Sequence, residues 1–384
     1  MRGINLPGAT PATRMLVLGG YGHFGGRICK ALAHDATLIV AGRDAAKAES
    51  FARTLGAAHQ GVALDYTATD LAQRLRALGV DAVIHTCGPF QSQNYPIYYH
   101  VARACIAAGV HYIDLADGRA FVAGIAELDA TARDAGVLVA SGASTLPALS
   151  SAVIDEHAGY FARLDSIDVS VAPGQQTPRG VATLQAVLSY CGKPFNAWEQ
   201  GRWQTVHGWQ GMHRFNYPDF GNRWLARCDV PDLQLFPTRY SGVQRVRFDA
   251  GLELALAQGA FWLLAGMVRI GLIADASRYA RLIQTWGTHF DALGSDTGGM
   301  HVGLRGTGID GRPARVDWHL IARRGHGPEI PCLPAIVLAR KLAAGKLAQR
   351  GAMPCMGLMT LAEFAVAVTQ ARLDIAWRTA FAGA

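Results

Sequence analysis

The sequence has 384 residues, of which 50% are hydrophobic and 17% charged, so it is long enough for two domains with full cores and unlike a disordered or fibrous chain. Its net charge of +7 comes from scattered Lys and Arg residues, which argues against a nucleic-acid partner but suits an anionic cofactor. The seven cysteines are widely spread and form no CxxC pair, a pattern that predicts reduced thiols and a cytoplasmic protein.

Two segments bear on targeting and membranes. Residues 1–13 lack the apolar centre of a secretory signal, and we expect a flexible leader there. The longest apolar stretch, 252–276, contains scattered polar and charged residues, and its uncharged part, 254–268, is shorter than the roughly 18–20 residues that span a bilayer. We therefore expect a buried or substrate-lining helix, with no stable membrane insertion.

The first 141 residues alternate between short aliphatic runs and segments with helical spacing. The runs predict strands over 15–18, 37–41, 61–64, 82–85, 112–115 and 137–140. The spacing predicts helices over 24–33, 45–55, 69–78, 97–108 and 121–135. Such alternation favours an α/β fold, a Rossmann doubly wound parallel sheet, over residues 14–148.

The remainder of the chain has a different character. All eight Trp lie beyond residue 141, and apolar residues recur with period 2 over 167–171 and 316–320. This pattern predicts a second α+β domain with a mostly antiparallel sheet over 149–332. Amphipathic segments over 334–344 and 361–370 predict C-terminal helices, within 333–384, that return to the Rossmann domain.

A GxGxxG motif separates the first predicted strand from the first predicted helix. Its first Gly permits a sharp turn, its second lets the backbone approach a pyrophosphate at the helix N-terminus, and its third allows close packing of helix on strand. The motif is weak by itself in a chain with 44 Gly, but its position between strand and helix indicates a dinucleotide site. The predicted cofactor-binding residues of this turn are Gly20, Tyr21, Gly22, His23, Phe24 and Gly25.

Charged residues after the second and third strands indicate which dinucleotide binds. Arg43 stands where NAD-specific proteins usually carry a carboxylate, and its guanidinium suits a 2′-phosphate. Asp44 leaves an alternative open, because its carboxylate could bind a free ribose hydroxyl while Arg43 stacks on adenine. Asp65 either reaches the adenine amine or serves a helix start. We favour NADP(H) and include all three residues in its site.

Two blocks further along, at residues 82–90 and 104–115, resemble the saccharopine dehydrogenase family. The first ends in Cys87-Gly88-Pro89-Phe90, the GPF turn of that family, and the second reads A-C-x-x-x-G-x-x-Y-x-D-L. The resemblance implies a Rossmann domain, a second α+β domain, and a cleft between them that holds the nicotinamide. Its members include reductases that form or cleave secondary amines through an imine and a trans-acting enoyl reductase of lipid assembly.

Candidate catalytic residues follow the fourth and fifth strands. Asp114 and Asp117 could orient an amine or supply a proton, although capping the next helix is at least as favoured for each. Tyr95 follows the GPF turn, and His100 on the next helix is more typical of a structural residue. In the GPF turn itself, Gly permits approach to the nicotinamide ribose and Pro rigidifies the backbone, with a purely structural turn as the alternative.

The sequence indicates only the general character of the substrate. An irregular aromatic run over 195–224 fits either a core or dimer patch or a wall for a hydrophobic substrate. Together with the apolar stretch it points away from a small dicarboxylate, as does the segment 141–147, which departs from the G-x-x-P-G crossing of saccharopine reductases. We expect a homodimer and a small-molecule substrate.

The combined prediction is an NADP(H)-dependent oxidoreductase. It would reduce a C=N or polarised C=C bond of a small to medium-sized, fairly hydrophobic substrate. The sequence contains no Tyr-x-x-x-Lys pair, HExxH, GxSxG or phosphate-loop motif, and its isolated His and Asp residues predict no metal site. Two alternatives stay open: an NADP-binding sensor or scaffold without turnover, and a protein that associates with a lipid surface through residues 252–276.

Overall fold

A computed structural model describes residues 13–88, 90, 98–178 and 180–383. Its N-terminal part consists of β1 (Arg14–Leu18), α1 (Gly25–Leu32), β2 (Thr37–Gly42), α2 (Ala45–Leu55), β3 (Gln60–Ala63), α3 (Leu71–Leu78), β4 (Ala82–His85), α4 (His100–Ala108), β5 (His111–Asp114), α5 (Arg119–Gly124), α6 (Asp129–Asp134) and β6 (Leu138–Ser141). The middle part consists of α7 (Ser150–Ala158), β7 (Phe161–Ala172), α8 (Val181–Ser189), β8 (Pro194–Glu199), β9 (Arg202–His207), β10 (His213–Tyr217), β11 (Gly221–Arg227), α9 (Asp232–Arg239), β12 (Arg245–Ala250), α10 (Ala255–Arg269), α11 (Ala280–Thr288), β13 (Gly298–Gly308) and β14 (Pro313–Ala322). The C-terminal part consists of α12 (Leu333–Ala343), β15 (Gly351–Pro354), α13 (Leu361–Gln370) and β16 (Ile375–Gly383).

The first sheet has seven parallel strands in the order β15-β6-β5-β4-β1-β2-β3. Its central strand β1 is buried on both faces, with Met15 and Val17 in one core and Leu16 and Leu18 in the other. Burial on both faces explains why the strands of this domain are continuous apolar runs. The strand order reverses between β1 and β4, which opens a crevice for ligands at the carboxyl ends of these strands. The predicted Rossmann sheet is confirmed.

The seventh strand of this sheet was not predicted. β15 comes after the whole second domain and pairs with β6, with Gly351 opposite Leu138. The helix predicted over 121–135 is helical throughout 121–134 but is not a single α-helix. Instead α5 ends at Gly124, a short 3-10 turn follows, and α6 begins at Asp129, whose carboxylate accepts a hydrogen bond of 3.0 Å from the Ala352 N–H. The 3-10 turn and α6 therefore both lie beside β15.

The second sheet has nine strands, seven of them in the order β10-β11-β12-β7-β13-β14-β16, with the hairpin β8-β9 attached to β12. Its pairings are antiparallel except for the parallel pair of β12 and β7. Ile167, Val169, Val316 and Trp318 are buried in the core between this sheet and the helices. The predicted second α+β domain is confirmed. The C-terminal part of the chain supplies one strand to each sheet, β15 to the first and β16 to the second.

The apolar stretch 252–276 forms α10, whose two sides differ in exposure. Phe261 and Ala265 are buried, but Leu256 is 90% exposed and Leu263 is 59% exposed. The prediction of a buried helix is therefore wrong for its outer side, because no other element of the described chain covers it. In the described part of the chain, no helix has both the length and the apolar character to cross a bilayer.

The aromatic run over 195–224 mostly packs inside the second domain. Trp209 and Tyr217 are buried, and the indole N–H of Trp198 donates to the Val243 carbonyl over 2.8 Å. Trp203 is exposed, and its ring packs edge-to-face with the ring of Trp198. Of the two interpretations of this run, the structure favours a core over a substrate wall for most of its residues.

Candidate dinucleotide cleft and active site

The glycine turn fits closely against the end of β1. Gly19, one residue before the motif, has a left-handed backbone with φ of +75°. A Cβ atom on Gly25 would lie 2.2 Å from the Gly19 carbonyl oxygen, and one on Gly22 would lie 2.9 Å from it. These contacts leave no room for a side chain where α1 meets the strand. Phe24 is the N-cap of α1, and no side chain in the described residues caps that end, as suits a helix whose N–H groups bind a phosphate.

Contacts from the second domain hold the same turn from outside. The Arg27 guanidinium donates to the His23 carbonyl over 2.6 Å and to Glu329 over 2.9 Å. The Cys332 thiol lies 3.8 Å from the Phe24 carbonyl. Burial, with a smaller contribution from Arg27, lowers the pKa of His23, so its imidazole is neutral at physiological pH. His23 and Phe24 are therefore fixed by neighbours that lie outside the predicted motif.

Tyr21 lies across the end of β2. A Cβ atom on Gly42 would lie 2.4 Å from its ring, and its hydroxyl accepts a hydrogen bond of 3.2 Å from the Asp44 N–H. The Asp44 carboxylate caps α2, accepting from the Lys47 N–H over 3.1 Å and pairing with the Lys47 ammonium at 3.3 Å. These bonds lower the pKa of Asp44 and occupy it as a cap. The alternative in which Asp44 binds a ribose hydroxyl is therefore disfavoured.

Arg43 is exposed directly after β2, and its charge acts on groups that follow β3 and β4. The N–H and hydroxyl groups of Thr67, at 2.9 and 2.7 Å, lower the pKa of Asp65, and the Arg43 charge adds to that effect. Burial raises the pKa of the Cys87 thiol to about 12, and the charge of Arg43 opposes that rise. Arg43 thus lies within electrostatic reach of both other strand ends, as a residue that binds a 2′-phosphate would.

The GPF turn packs onto the glycine turn. A Cβ atom on Gly19 would lie 2.7 Å from the Thr86 hydroxyl and 3.0 Å from the Cys87 sulfur. The Gly88 N–H donates to the Thr86 carbonyl over 3.3 Å, and Phe90 is buried with its ring edge-on to His85. Cys87 is therefore a protonated packing residue beside the cleft. Pro89 and Tyr95, predicted in the site, lie outside the described residues.

Asp114 is completely buried, which counts against a direct catalytic role. One of its oxygens accepts hydrogen bonds from Ala116 N–H (2.9 Å), Ser141 hydroxyl (3.0 Å) and Gly142 N–H (2.8 Å). Burial raises the pKa of Asp114 to about 6, and these donors work in the opposite direction. Its carboxylate therefore ties the end of β5 to the end of β6. These contacts favour the structural alternative for Asp114 over contact with substrate.

Asp117, three residues further on, is exposed between β5 and α5. Burial raises the pKa of the Tyr190 hydroxyl most, and its interaction with Cys228 raises that pKa further. The charges of Asp117 and Asp229 also raise the pKa of Tyr190. Tyr190 follows α8, and Asp229 follows β11. An aspartate of the Rossmann domain therefore lies within electrostatic range of a tyrosine of the second domain.

Arg119 joins the two domains beside this group. Its guanidinium donates to the Asp229 carboxylate over 3.0 Å and to the Asn196 carbonyl over 2.6 Å, and it lies over the Trp203 ring. Burial raises the pKa of Asp229, and Arg119 lowers it. Sequence analysis missed Arg119, Tyr190 and Asp229, because none belongs to a motif and their partners are far away in the chain. The His100 imidazole donates through Nε2 to the Ala68 carbonyl over 2.9 Å, which suits a structural residue.

Two other features lie apart from this group. A groove of about 950 Å³ starts at Tyr21 and His23 but runs along the outer side of α1 to His34 and Asp35, away from the ends of β4 and β5. In the second sheet, His301, Asp317 and His319 bring ligand-type atoms within 4.8 Å of one another, the cluster of described residues with metal-ligand chemistry. Asp317 is already shared there between His301, at 2.8 Å, and Arg315.

Comparison with known proteins agrees with the geometry of the first domain. Residues 15–158 match the family described as the saccharopine dehydrogenase NADP binding domain. The apo saccharopine dehydrogenase (L-Glu forming) of Saccharomyces cerevisiae has a TM-score of 0.67 at 14% identity, covering 96% of this chain and 100% of the yeast chain, which shows a common fold. No curated protein matches the sequence.

Two further solved structures match a smaller part of the chain. The 3-ketoacyl-(acyl-carrier-protein) reductase of Brucella melitensis, complexed with NADH, is 20% identical over 35% of this chain and 75% of its own, with a TM-score of 0.25. The yeast methylglyoxal/isovaleraldehyde reductase Gre2, complexed with NADPH, is 18% identical over 27% and 37%, with a TM-score of 0.24.

Proposed function

We propose that this protein is an NADP(H)-dependent oxidoreductase of saccharopine dehydrogenase-like type that reduces a C=N or polarised C=C bond of a small to medium-sized, fairly hydrophobic substrate. The match of residues 15–158 to the saccharopine dehydrogenase NADP binding domain supports the cofactor. The observation that carries this proposal is the ion pair of 3.0 Å between Arg119 and Asp229, which joins the two domains, with Tyr190 within electrostatic range of Asp117 and Asp229. These are groups that can orient a polar double bond and provide a proton for it.

The residues of the first domain fit NADP(H). The glycine turn from Gly20 to Gly25 and the uncapped start of α1 would hold the pyrophosphate, and Arg43 would hold the 2′-phosphate. Bound NADPH supplies a hydride, which is chemistry of the cofactor and not of the chain. The chain itself would orient the two reactants and exclude water from the cleft.

The second-domain side supplies the proton chemistry in this proposal. Because the pKa of Tyr190 is raised, its hydroxyl remains protonated at physiological pH and can donate a hydrogen bond or a proton. Asp117 is exposed and can accept a hydrogen bond from, or stabilise, a positively charged iminium nitrogen. Asp229 is held by Arg119, so we assign it the positioning of Tyr190 and not contact with substrate.

A panel of substrates tests the reaction class. The purified protein would be incubated with NADPH and either cyclic imines or α,β-unsaturated thioesters, and NADPH oxidation would be followed by absorbance. We expect oxidation with a member of one class. Tight NADPH binding with no oxidation across both classes would contradict the proposal and support the sensor or scaffold alternative.

Matched variants test the assigned residues. We expect Tyr190→Phe or Asp117→Asn to lower kcat by about 10²–10⁴-fold, the usual contribution of a positioned proton donor or acceptor. Tyr160→Phe and Asp134→Asn change the same residue types at exposed positions outside the cleft and should keep the wild-type kcat. A wild-type kcat in both cleft variants would remove Tyr190 and Asp117 from the mechanism.

The location and the oligomer stay predictions. All seven cysteines are free thiols in the structure, which suits the proposed cytoplasmic location. The proposed homodimer would be checked by light scattering of the full chain.

A further inference from the structure

Exposed apolar side chains are concentrated in one segment of the second domain. Of the sixteen large hydrophobic residues that are exposed in the described part of the chain, eleven lie between residues 256 and 293. They include Leu256, Leu263, Met267 and Ile270 on or beside α10 and Leu282 and Trp286 on α11. Single exposed apolar residues are ordinary, whereas a concentration of this kind marks an interaction surface.

α10 is apolar on every side but covered on only one. Residues 254–268 contain no charged residue. Its inner side packs through Phe261 and Ala265, while its outer side presents Leu256, Leu263 and Met267 at helical spacing. A helix that is hydrophobic all round is normally surrounded by apolar material. At fifteen residues, about 22 Å, α10 is too short to cross a hydrocarbon layer of about 30 Å, so it suits a position in the plane of an interface.

The charges of this segment have one dominant sign. Arg269, Arg278 and Arg281 are exposed, and the two carboxylates between residues 256 and 293, Asp275 and Asp291, both have hydrogen-bond partners. Asp275 caps the following 3-10 turn through the Ser277 N–H and lies 3.7 Å from the Lys193 ammonium. Three arginines beside exposed Trp and Leu side chains are typical of helices that lie on anionic lipid.

From this combination we propose that α10 and α11 bind the surface of an anionic lipid bilayer. Charge complementarity selects this occupant: the arginines attract anionic headgroups, whereas a second copy of the same face would place like charges against one another. The aromatic side chains Trp262, Tyr279 and Trp286 have the amphipathic character of residues at the membrane–water interface.

The proposed lipid surface adjoins the cleft. The Cys191 thiol lies 3.9 Å from the Phe261 carbonyl, and a Cβ atom on Gly192 would lie 2.3 Å from the Ala265 carbonyl oxygen. The inner side of α10 therefore packs on residues that directly follow Tyr190. The lipid surface holds the cleft beside the bilayer and selects an amphipathic, acyl-chain substrate, a conclusion about substrate that rests on the proposed function.

Vesicle flotation tests the surface without using activity. The full chain would be mixed, without NADPH, with phosphatidylcholine vesicles that either contain or lack phosphatidylglycerol. We expect binding to the anionic vesicles to exceed binding to the neutral ones by at least about tenfold, and to weaken with salt. Replacing Arg269, Arg278 and Arg281 together by Gln should reduce binding to anionic vesicles on the order of a hundredfold, at about fivefold for each charge.

A matched pair of isoleucines tests the apolar contribution. Ile270→Ser should weaken vesicle binding about tenfold. Ile309→Ser changes a residue of the same type and similar exposure, 75% against 72%, in the turn between β13 and β14, and should leave vesicle binding unchanged. NADPH titration of each variant confirms that the Rossmann domain is intact.

Three results would overturn the proposal. The first is that the wild type does not bind anionic vesicles. The second is that Ile270→Ser binds these vesicles as well as the wild type does. The third is that the wild type is a dimer in solution and Ile270→Ser is a monomer. The last result would show that a second copy occupies the face. Since flotation requires no catalysis, failure of the lipid surface and failure of the proposed reductase activity are separate outcomes.

Discussion

On the cofactor side of the cleft, the fit depends on the backbone: Gly19 turns the chain, and Gly25 lies where any Cβ would collide with a carbonyl oxygen. Where the second domain meets the first, the fit depends on side chains from distant parts of the sequence, such as Arg119 of the Rossmann domain and Tyr190 and Asp229 of the second. The first wall tolerates almost no added atom, whereas the second can change its chemistry by replacing a few side chains. A family with one cofactor and several reactions would use a cleft of this kind.

The strongest test of the comparison is at Gly25. Gly25→Val would place methyl groups against the Gly19 carbonyl, and we expect a loss of at least about 3 kcal/mol in the free energy of unfolding together with loss of NADPH binding. Gly159→Ala, where nothing lies within 4 Å of the added Cβ, should change the unfolding free energy by less than about 1 kcal/mol. Urea unfolding and fluorescence titration measure the two effects. Normal NADPH affinity in Gly25→Val would show that the backbone is not the limiting constraint.

The next largest effect concerns pH and Asp114. Its pKa is raised by burial from 3.8 to about 6, so the folded state binds the proton more tightly than the unfolded state does. The free energy of unfolding should therefore fall by about 3 kcal/mol as the pH rises from about 4 to about 6, at 1.36 kcal/mol for each pKa unit.

Asp114→Asn isolates this contribution. The amide keeps an acceptor oxygen for the donors from Ser141 and Gly142 but cannot ionise. We expect the fall of about 3 kcal/mol in the free energy of unfolding between about pH 4 and pH 6 to be absent when the variant is unfolded with urea. Identical slopes in variant and wild type would mean that Asp114 is not the titrating group.

On the other wall, the pair of Arg119 and Asp229 gives a smaller effect. Arg119→Met leaves the partly buried Asp229 carboxylate without its guanidinium, and we expect a loss of about 2 kcal/mol in the free energy of unfolding. Adding Asp229→Asn should recover most of that loss, because no unpaired charge remains. Strict additivity in this double-mutant cycle would show that the two residues do not interact.

The preference for NADPH over NADH should depend on one side chain, Arg43, although the rest of the cofactor side of the cleft is formed mainly by backbone. Arg43→Ala should weaken NADPH binding by about 10–100-fold, the range for one or two hydrogen bonds to a charged group, and NADH binding by no more than about threefold. Isothermal calorimetry with both dinucleotides gives the ratio. Equal losses for the two would remove Arg43 from the 2′-phosphate site.

The smallest effect separates Asp44 from its neighbour. Asp44→Ala removes the cap of α2 and should lower the unfolding free energy by about 1 kcal/mol, while NADPH affinity stays unchanged. Asp44→Ser keeps a capping oxygen and should recover most of that stability. A clear loss of NADPH affinity in both variants would restore the ribose interpretation of Asp44.

The same contrast explains what the sequence could predict. The glycine turn and Arg43 lie within a short stretch of chain, so spacing alone placed them at neighbouring strand ends. Asp114 was interpreted as a catalytic candidate because its hydrogen-bond donors at Ser141 and Gly142 belong to another strand. α10 was predicted as buried because composition reveals an apolar face but not whether another element covers it. Arg119 and Tyr190 had no local signal, since their partners are set by the packing of two domains.

The interleaving of the two sheets bears on how the chain folds. β15 and β16 are synthesised after all the other strands, yet one completes the edge of the first sheet beside β6 and the other pairs with β14 in the second. During translation the Rossmann domain would leave the ribosome with the edge of β6 unpaired, and unpaired edges recruit foreign strands. The last two strands thus complete both sheets. We therefore expect the nascent protein to need protection from aggregation until its C-terminal segment has left the ribosome.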